Sequence, residues 1–216
     1  MVYTSGEVPR EAAEVLEFWF GRCVDEPMDI KVRASFWFQA VPAVDLEIAK
    51  RFEALVRKAG RSALDHWLRS PQGTLALVIT LDQFPRNVYR GSREAFAYDA
   101  RACAIAVDAL ARDLADELHP VEQCFLVMPL EHAENRELQE QSVAAIERAA
   151  AGMPHAQRVL LEGFVKSAEA HRAIVRRFGR FPHRNAILER VSTVAEEAFL
   201  KENPGGFGQS PSRESR

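Results

Sequence analysis

Arginine and asparagine, whose N–H groups recognise carboxylates and phosphates, are crowded around two Phe-Pro steps in this chain. Asp82-Gln83-Phe84-Pro85-Arg86-Asn87 returns, with one residue inserted, as Gly179-Arg180-Phe181-Pro182-His183-Arg184-Asn185. Both copies follow an apolar run with helical spacing. Proline lacks an N–H and pushes the residue before it out of the α region, so each phrase is expected to end its helix and carry its donors on a sharp turn. Turns beside helix ends are a common place for binding groups. Asp82 then falls near a helix C-terminus, where a carboxylate opposes the helix dipole. Arg86 or Arg90 is the expected compensation, either as a structural clamp or as part of a ligand pocket.

Two histidines extend the chemistry. His132 and Gln139 share a stripe with Val143 and Ile146 on a helix expected over 131–151, which makes that stripe polar at one end and apolar at the other. Polar residues where the fold expects grease are a sign of a pocket lining. His171 shares its stripe with Phe164, Ala168, Val175 and Phe178 and is expected to point inward. Histidine titrates near neutrality, so His132 or His171 is the expected proton carrier if the site is catalytic. From Arg172 to Arg190 there are six arginines, faced in the preceding helix by Glu131, Glu134, Glu137 and Glu140. That pattern fits either an anion site or two helices zipped by surface ion pairs. His132-Ala133-Glu134 lacks the cysteine partner of a zinc-deaminase motif, and residues two apart on a helix do not face each other. No metal and no cofactor are expected.

Positioning these side chains requires helices, and nearly every long segment reads as one. Helices are expected over 11–20, 42–59, 74–84, 94–114, 120–127, 131–151, 155–178 and from Thr193 to about Leu200, where Thr193 and Glu196 form a capping box. The 74–84 segment is apolar on almost every side and belongs in the centre of a stack. The strings Phe18-Trp19-Phe20 and Phe36-Trp37-Phe38 are expected to pack in the core. The architecture that follows is all-α: about eight or nine helices stacked as antiparallel hairpins, forming a single domain over residues 1–202, with a Gly/Ser/Pro-rich, disordered C-terminal tail over 203–216.

Composition narrows the function. The 216 residues are 47% hydrophobic and 27% charged with a net charge of −3, which speaks against non-specific nucleic-acid binding. No run approaches the roughly eighteen apolar residues of a membrane span, and Met1 to Arg10 lacks the apolar core of a secretory signal. Cys23, Cys103 and Cys124 are odd in number and without C-x-x-C spacing, so free thiols and a cytoplasmic setting are expected.

Leu81 to Asn87 (LDQFPRN), Pro129 to Glu134 (PLEHAE), Arg177 to Asn185 (RFGRFPHRN) and the opening Val15 to Gly21 (VLEFWFG) resemble the bacterial family of unknown function DUF924 over about Val15 to Leu200. The resemblance implies a helical fold similar to tetratricopeptide-repeat arrays and no established activity. Carried over by position, the family's polar signature falls on Asp82, Gln83, Arg86, Asn87, His132, Glu134, His171, Arg180, His183, Arg184 and Asn185. The family often has Met and Ser where this chain has Glu131 and Ala133, which implies that Glu131 is a poor candidate for essential chemistry.

The expectation that follows is a pocket for a small anionic ligand. Arg86, Arg180 and Arg184 hold its phosphate or carboxylate, Asn87 and Asn185 orient the turns, and Asp82 positions an arginine. His132, His171 and His183 complete the lining. The alternative is a helical scaffold for a protein partner, with the same residues spread along an open groove.

Overall fold

In the computed structural model, residues 8–21 and 29–204 are described. Among them are nine α-helices and no strand: α1 Arg10–Phe20, α2 Asp29–Phe38, α3 Pro42–Gly60, α4 Pro71–Val88, α5 Asp99–Ala111, α6 Pro120–Glu131, α7 Arg136–Gly152, α8 Glu162–Phe178 and α9 Val194–Glu202. Short 3-10 turns join several of them. Successive helices pack on one another, α3 on α4, α6 on α7 and α7 on α8, while α4 also touches α1, α5 and α6. This is the stack of helical hairpins expected from the sequence.

Helix α4 is the axis of the stack because its composition leaves it no face for water. Every residue from Gly73 to Asn87 is buried. Ser70 caps its start by accepting a hydrogen bond from the Gly73 N–H, and Pro71 takes the first helical position, where an N–H has no partner in any case. Gly73 is required there: a Cβ would collide with the Trp67 carbonyl oxygen and the Ser70 hydroxyl.

Two proline expectations are corrected. Pro85 does not end its helix; α4 runs through it to Val88, and α6 likewise runs through Pro129 to Glu131. Each proline deletes one intrahelical hydrogen bond, but both helices are buried on all sides there, and that packing outweighs the local penalty. The helix expected over 131–151 therefore starts later. Glu131 ends α6, His132 is its C-cap, and Asn135 opens α7 by accepting from the Glu137 and Leu138 N–H groups. Gln139, expected to share a pocket-facing stripe with His132, is fully buried, and its amide donates to the carbonyls of Glu131 at 2.6 Å and Ala133 at 2.8 Å. It closes the C-terminus of α6. Replacing Asn135 with alanine should cost about 1 kcal/mol, measured by urea denaturation, because two N–H groups at the start of α7 lose their acceptor.

Other boundaries also move. The segment 94–114 splits into a 3-10 turn at Arg93–Phe96 and helix α5, and 155–178 opens as a 3-10 turn before α8. The second Phe-Pro phrase does break its helix: Gly179, at φ +75°, ends α8 in the left-handed conformation, and Pro182–Arg184 form a single 3-10 turn. The two phrases are thus alike in residues and unlike in backbone.

A cluster of buried apolar side chains draws on α1 through α8, and a smaller one gathers Ile174, Val175 and Phe181 with Phe178 and Phe199. Phe125 sits among the aromatic strings, 4.8 Å from the Trp37 ring, 5.4 Å from Phe20 and 5.7 Å from Trp19. Cys103 and Cys124 are free, whereas Cys23 and residues 205–216 of the tail lie outside the described residues. Among the described residues no helix is long and apolar enough to cross a membrane.

Candidate functional site

Helix α4 carries the first phrase straight through the core, so side chains four apart share a face. Asp82 and Arg86 do so: the guanidinium lies 3.2 Å from the Asp82 carboxylate and donates to the Asp82 carbonyl oxygen at 2.7 Å. Its fork is closed by Asp99, from the first turn of α5, through bonds of 2.8 and 2.9 Å. Asp99 also takes the Arg184 guanidinium at 3.4 Å. One carboxylate therefore joins the arginines of the two repeated phrases. Asn87, in the last turn of α4, and Arg90, just past its end, both donate to Asp45 of α3.

Each histidine leans on a carboxylate. His132 Nδ1 lies 2.8 Å from Asp82 Oδ1, and His171 Nδ1 lies 2.9 Å from Glu131 Oε1 and 2.9 Å from the Ser167 carbonyl oxygen. Ser167 donates its hydroxyl to the same Glu131 oxygen at 2.7 Å. The two imidazole rings are 6.0 Å apart. Burial alone would raise the Asp82 pKa, but Arg86 and His132 outweigh it and hold the carboxyl well below its ordinary range. The Glu131 carboxyl is likewise held down, by His171, against the effect of burial. His132 is pushed below the usual histidine range by burial and by Arg86, with Asp82 offsetting part of that. At neutral pH the pair is thus an ionised Asp82 and an uncharged imidazole. The carboxylate can only accept, so Nδ1 carries the proton and Nε2 is the basic nitrogen.

His132 and His171 border a cavity of about 500 Å³, a usual size for a small-molecule pocket. Arg86, Arg90, Gln83, Asn87, Glu131 and Ser167 share its polar side. Trp37, Phe38, Met128, Leu160 and Phe164 supply its apolar lining, with Met128 Sδ accepting from Gln83 at 3.2 Å. Phe38 and Val159, half exposed at 51% and 53%, also belong to the apolar lining. Gly163, in the first turn of α8, lines the cavity too, and a Cβ built on it meets nothing within 4 Å.

The predicted residues divide into two groups. Arg86, Asn87, His132 and His171 border this cavity, with Asp82 fully buried behind them. Arg180, His183, Arg184 and Asn185 do not border it. Arg180 forms a bidentate pair with Glu196 of α9 at 2.7 and 2.8 Å. Asn185 orients its turn, accepting from Arg190 and donating to Ser192. Arg184 lies over the Phe96 and Phe181 rings, and its pKa is pushed down to about 10 by burial and by Arg86. His183 packs against Phe181. The acids facing the arginine-rich segment are engaged as a zipper: Glu140 meets Arg172 and Arg176, and Glu134 meets Arg190 and the Phe181 N–H.

Sequence reasoning did not single out Asp99, Ser167 or the aromatic lining, and it set Glu131 aside. Glu131 is 3% exposed and holds His171, whatever a relative carries there. Its signal lies in the sequence: a glutamate after seven apolar residues, Cys124 to Leu130, in the last turn of a buried helix needs a partner.

The fold and the site together define an all-helical hairpin protein with a mixed polar and aromatic cavity lined from α2, α4, α6 and α8. The chain belongs to the DUF924 family of bacterial proteins of unknown function, whose model matches residues 15–204. It is similar to a solved protein of unknown function from Agrobacterium tumefaciens, with 33% identity and a TM-score of 0.75, over 89% of this chain and 98% of that one. Among curated proteins nothing matches.

Proposed function

We propose that the protein binds a small organic anion, a carboxylate on an apolar body, in the cavity between α4, α6 and α8. The observation that carries this reading is the mixed lining: aromatic side chains and a methionine in one cavity with two arginines, two imidazoles and one glutamate. An apolar body gains about 0.8 kcal/mol for each methylene buried against such side chains. Arg86 and Arg90 are the guanidiniums of the lining, each paired behind it with an aspartate, and the N–H groups of the lining are what would receive an anionic head. Those guanidiniums are already braced by Asp99 and Asp45, so they are preorganised to present charge and need not rearrange around the ligand. The scaffold alternative calls for signature residues along an open groove, whereas Arg86, Asn87, His132 and His171 gather at one cavity.

Isothermal titration with octanoate, octyl phosphate and octan-1-ol tests the reading. Octanoate should bind saturably and at least about tenfold more tightly than octan-1-ol, a difference of about 1.4 kcal/mol. Gly163→Leu should abolish binding by filling the cavity while helix content stays unchanged, since leucine has the higher helix propensity. Equal affinity for all three probes, or binding that survives Gly163→Leu, would remove the anion pocket.

A further inference from the structure

Resting on that binding reading, we infer that the cavity is a hydrolytic centre for small acyl esters, with His132 as general base and then general acid and Asp82 as its positioning residue. The geometry supplies the parts such a reaction needs. Asp82, fully buried, engages Nδ1 of His132 at 2.8 Å, which fixes the ring and leaves Nε2 as the nitrogen not committed to the carboxylate. A buried carboxylate that orients an imidazole in this tautomer is the base half of a catalytic triad. The nucleophile is water. Ser167 borders the cavity, but its hydroxyl donates to Glu131 rather than to an imidazole. Cys103 and Cys124 are not among the lining residues, and burial raises both thiols. The ester's acyl chain lies on the aromatic lining, and the carboxylate it becomes is the anion the polar side is arranged to hold.

The step balances without an oxidant or a metal. His132 Nε2 takes a proton from water as the water oxygen bonds to the acyl carbon, and the carbonyl electron pair moves onto its oxygen. When that pair returns, the bond from the acyl carbon to the alkoxy oxygen breaks, and the proton on Nε2 passes to the departing oxygen. Ester and water give acid and alcohol, and the acid loses its proton to solvent. Arg86 lines the cavity with His132 and, held in place by Asp82 and Asp99, supplies a fixed positive charge near the developing oxyanion.

The experiment uses the full chain with p-nitrophenyl octanoate as probe, alongside octanoate binding. Nitrophenol release should exceed the buffer rate and saturate. His132→Gln should lower kcat about 100-fold or more with KM little changed, the usual weight of a general base. Gly163→Leu should abolish turnover by excluding the probe. Asp82→Asn, read alongside circular dichroism because its site is buried, should lower kcat at least about tenfold. It should also move the acid limb of the pH–rate profile to lower pH, because a carboxylate that favours the imidazolium is gone. The groups facing His132 in that titration are Asp82 and Arg86 from α4, Glu131 from α6, His171 from α8 and His183 from the following turn. Octanoate binding without turnover, or turnover that survives His132→Gln, overturns the hydrolytic assignment and leaves the pocket reading standing. Neither binding nor turnover overturns both.

Discussion

Replacing Asp99 with alanine should destabilise the protein by about 3–5 kcal/mol, the cost of removing one partner from a buried ion pair. The carboxylate is only 20% exposed and serves two guanidiniums at once, Arg86 at 10% and Arg184 at 8%. Without it Arg86 loses the carboxylate that closes its fork, and Arg184, over the Phe96 and Phe181 rings, loses its paired carboxylate and keeps only the more distant influence of Glu134 and Asp82. Thermal unfolding should move down by roughly 10 °C for a chain of this size. Asp99→Asn should fall between the two, since it retains one acceptor and no charge. Adding Arg184→Leu to Asp99→Ala should recover part of the loss, because the stranded charge is then gone. A loss below about 1 kcal/mol for Asp99→Ala would mean that Asp99 does not hold the two phrases together.

The second large effect is acid lability that begins above the carboxylate range. Burial, then the nearby Arg184 and His171, push the His183 pKa from 6.5 down to about 3. A histidine depressed in the folded state binds its proton more readily when unfolded. Its contribution is complete above pH 6.5 and is lost as pH falls from there toward 3. Over that window it amounts to roughly 3–5 kcal/mol. His132 and His119 are depressed in the same direction and steepen the decline. The depressed carboxylates of Asp82, Glu131 and Glu134 add their own loss lower down, as pH falls below the ordinary carboxylate range. Urea denaturation at successive pH values should show stability falling between pH 6.5 and 4, and His183→Gln should flatten that slope. A wild-type protein equally stable at pH 4.5 and pH 7 would contradict the argument.

Much of this fold can be read from residue pattern, and the misreadings share one cause. The capping box of α9 and the all-round apolar surface of α4 are local signals that the tertiary structure reinforces. Pro85 and Pro129 are local signals that it overrides. A proline in a half-exposed helix ends it, but one surrounded by packed neighbours on every side is carried along. That misreading displaced the start of α7 and placed Gln139 beside a pocket, when its amide in fact closes α6. For the site, charge and aromatic type were legible, but partnership was not. Arg86, Arg180 and Arg184 look alike in sequence, and only the packing sends them to Asp99 and Asp82, to Glu196, and to Asp99 over two phenyl rings. Asp99 itself carries no pattern at all: within a helix expected over 94–114 it is one acid past the first turn, and only the structure starts α5 there.

Trp37 gives the molecule a built-in optical probe. The chain has three tryptophans; Trp19 and Trp67 are sealed in the core, at 0% and 1% exposure, and Trp37 alone of the three borders the cavity. Emission from the two sealed indoles is a constant background. Trp37 is itself only 6% exposed, so a molecule entering beside it alters the contacts and quenching of its ring, and occupancy should register as a change in emission without any label. Exciting the native chain at the red edge of indole absorption, while small molecules are added one at a time, turns the search for the ligand into a fluorescence titration.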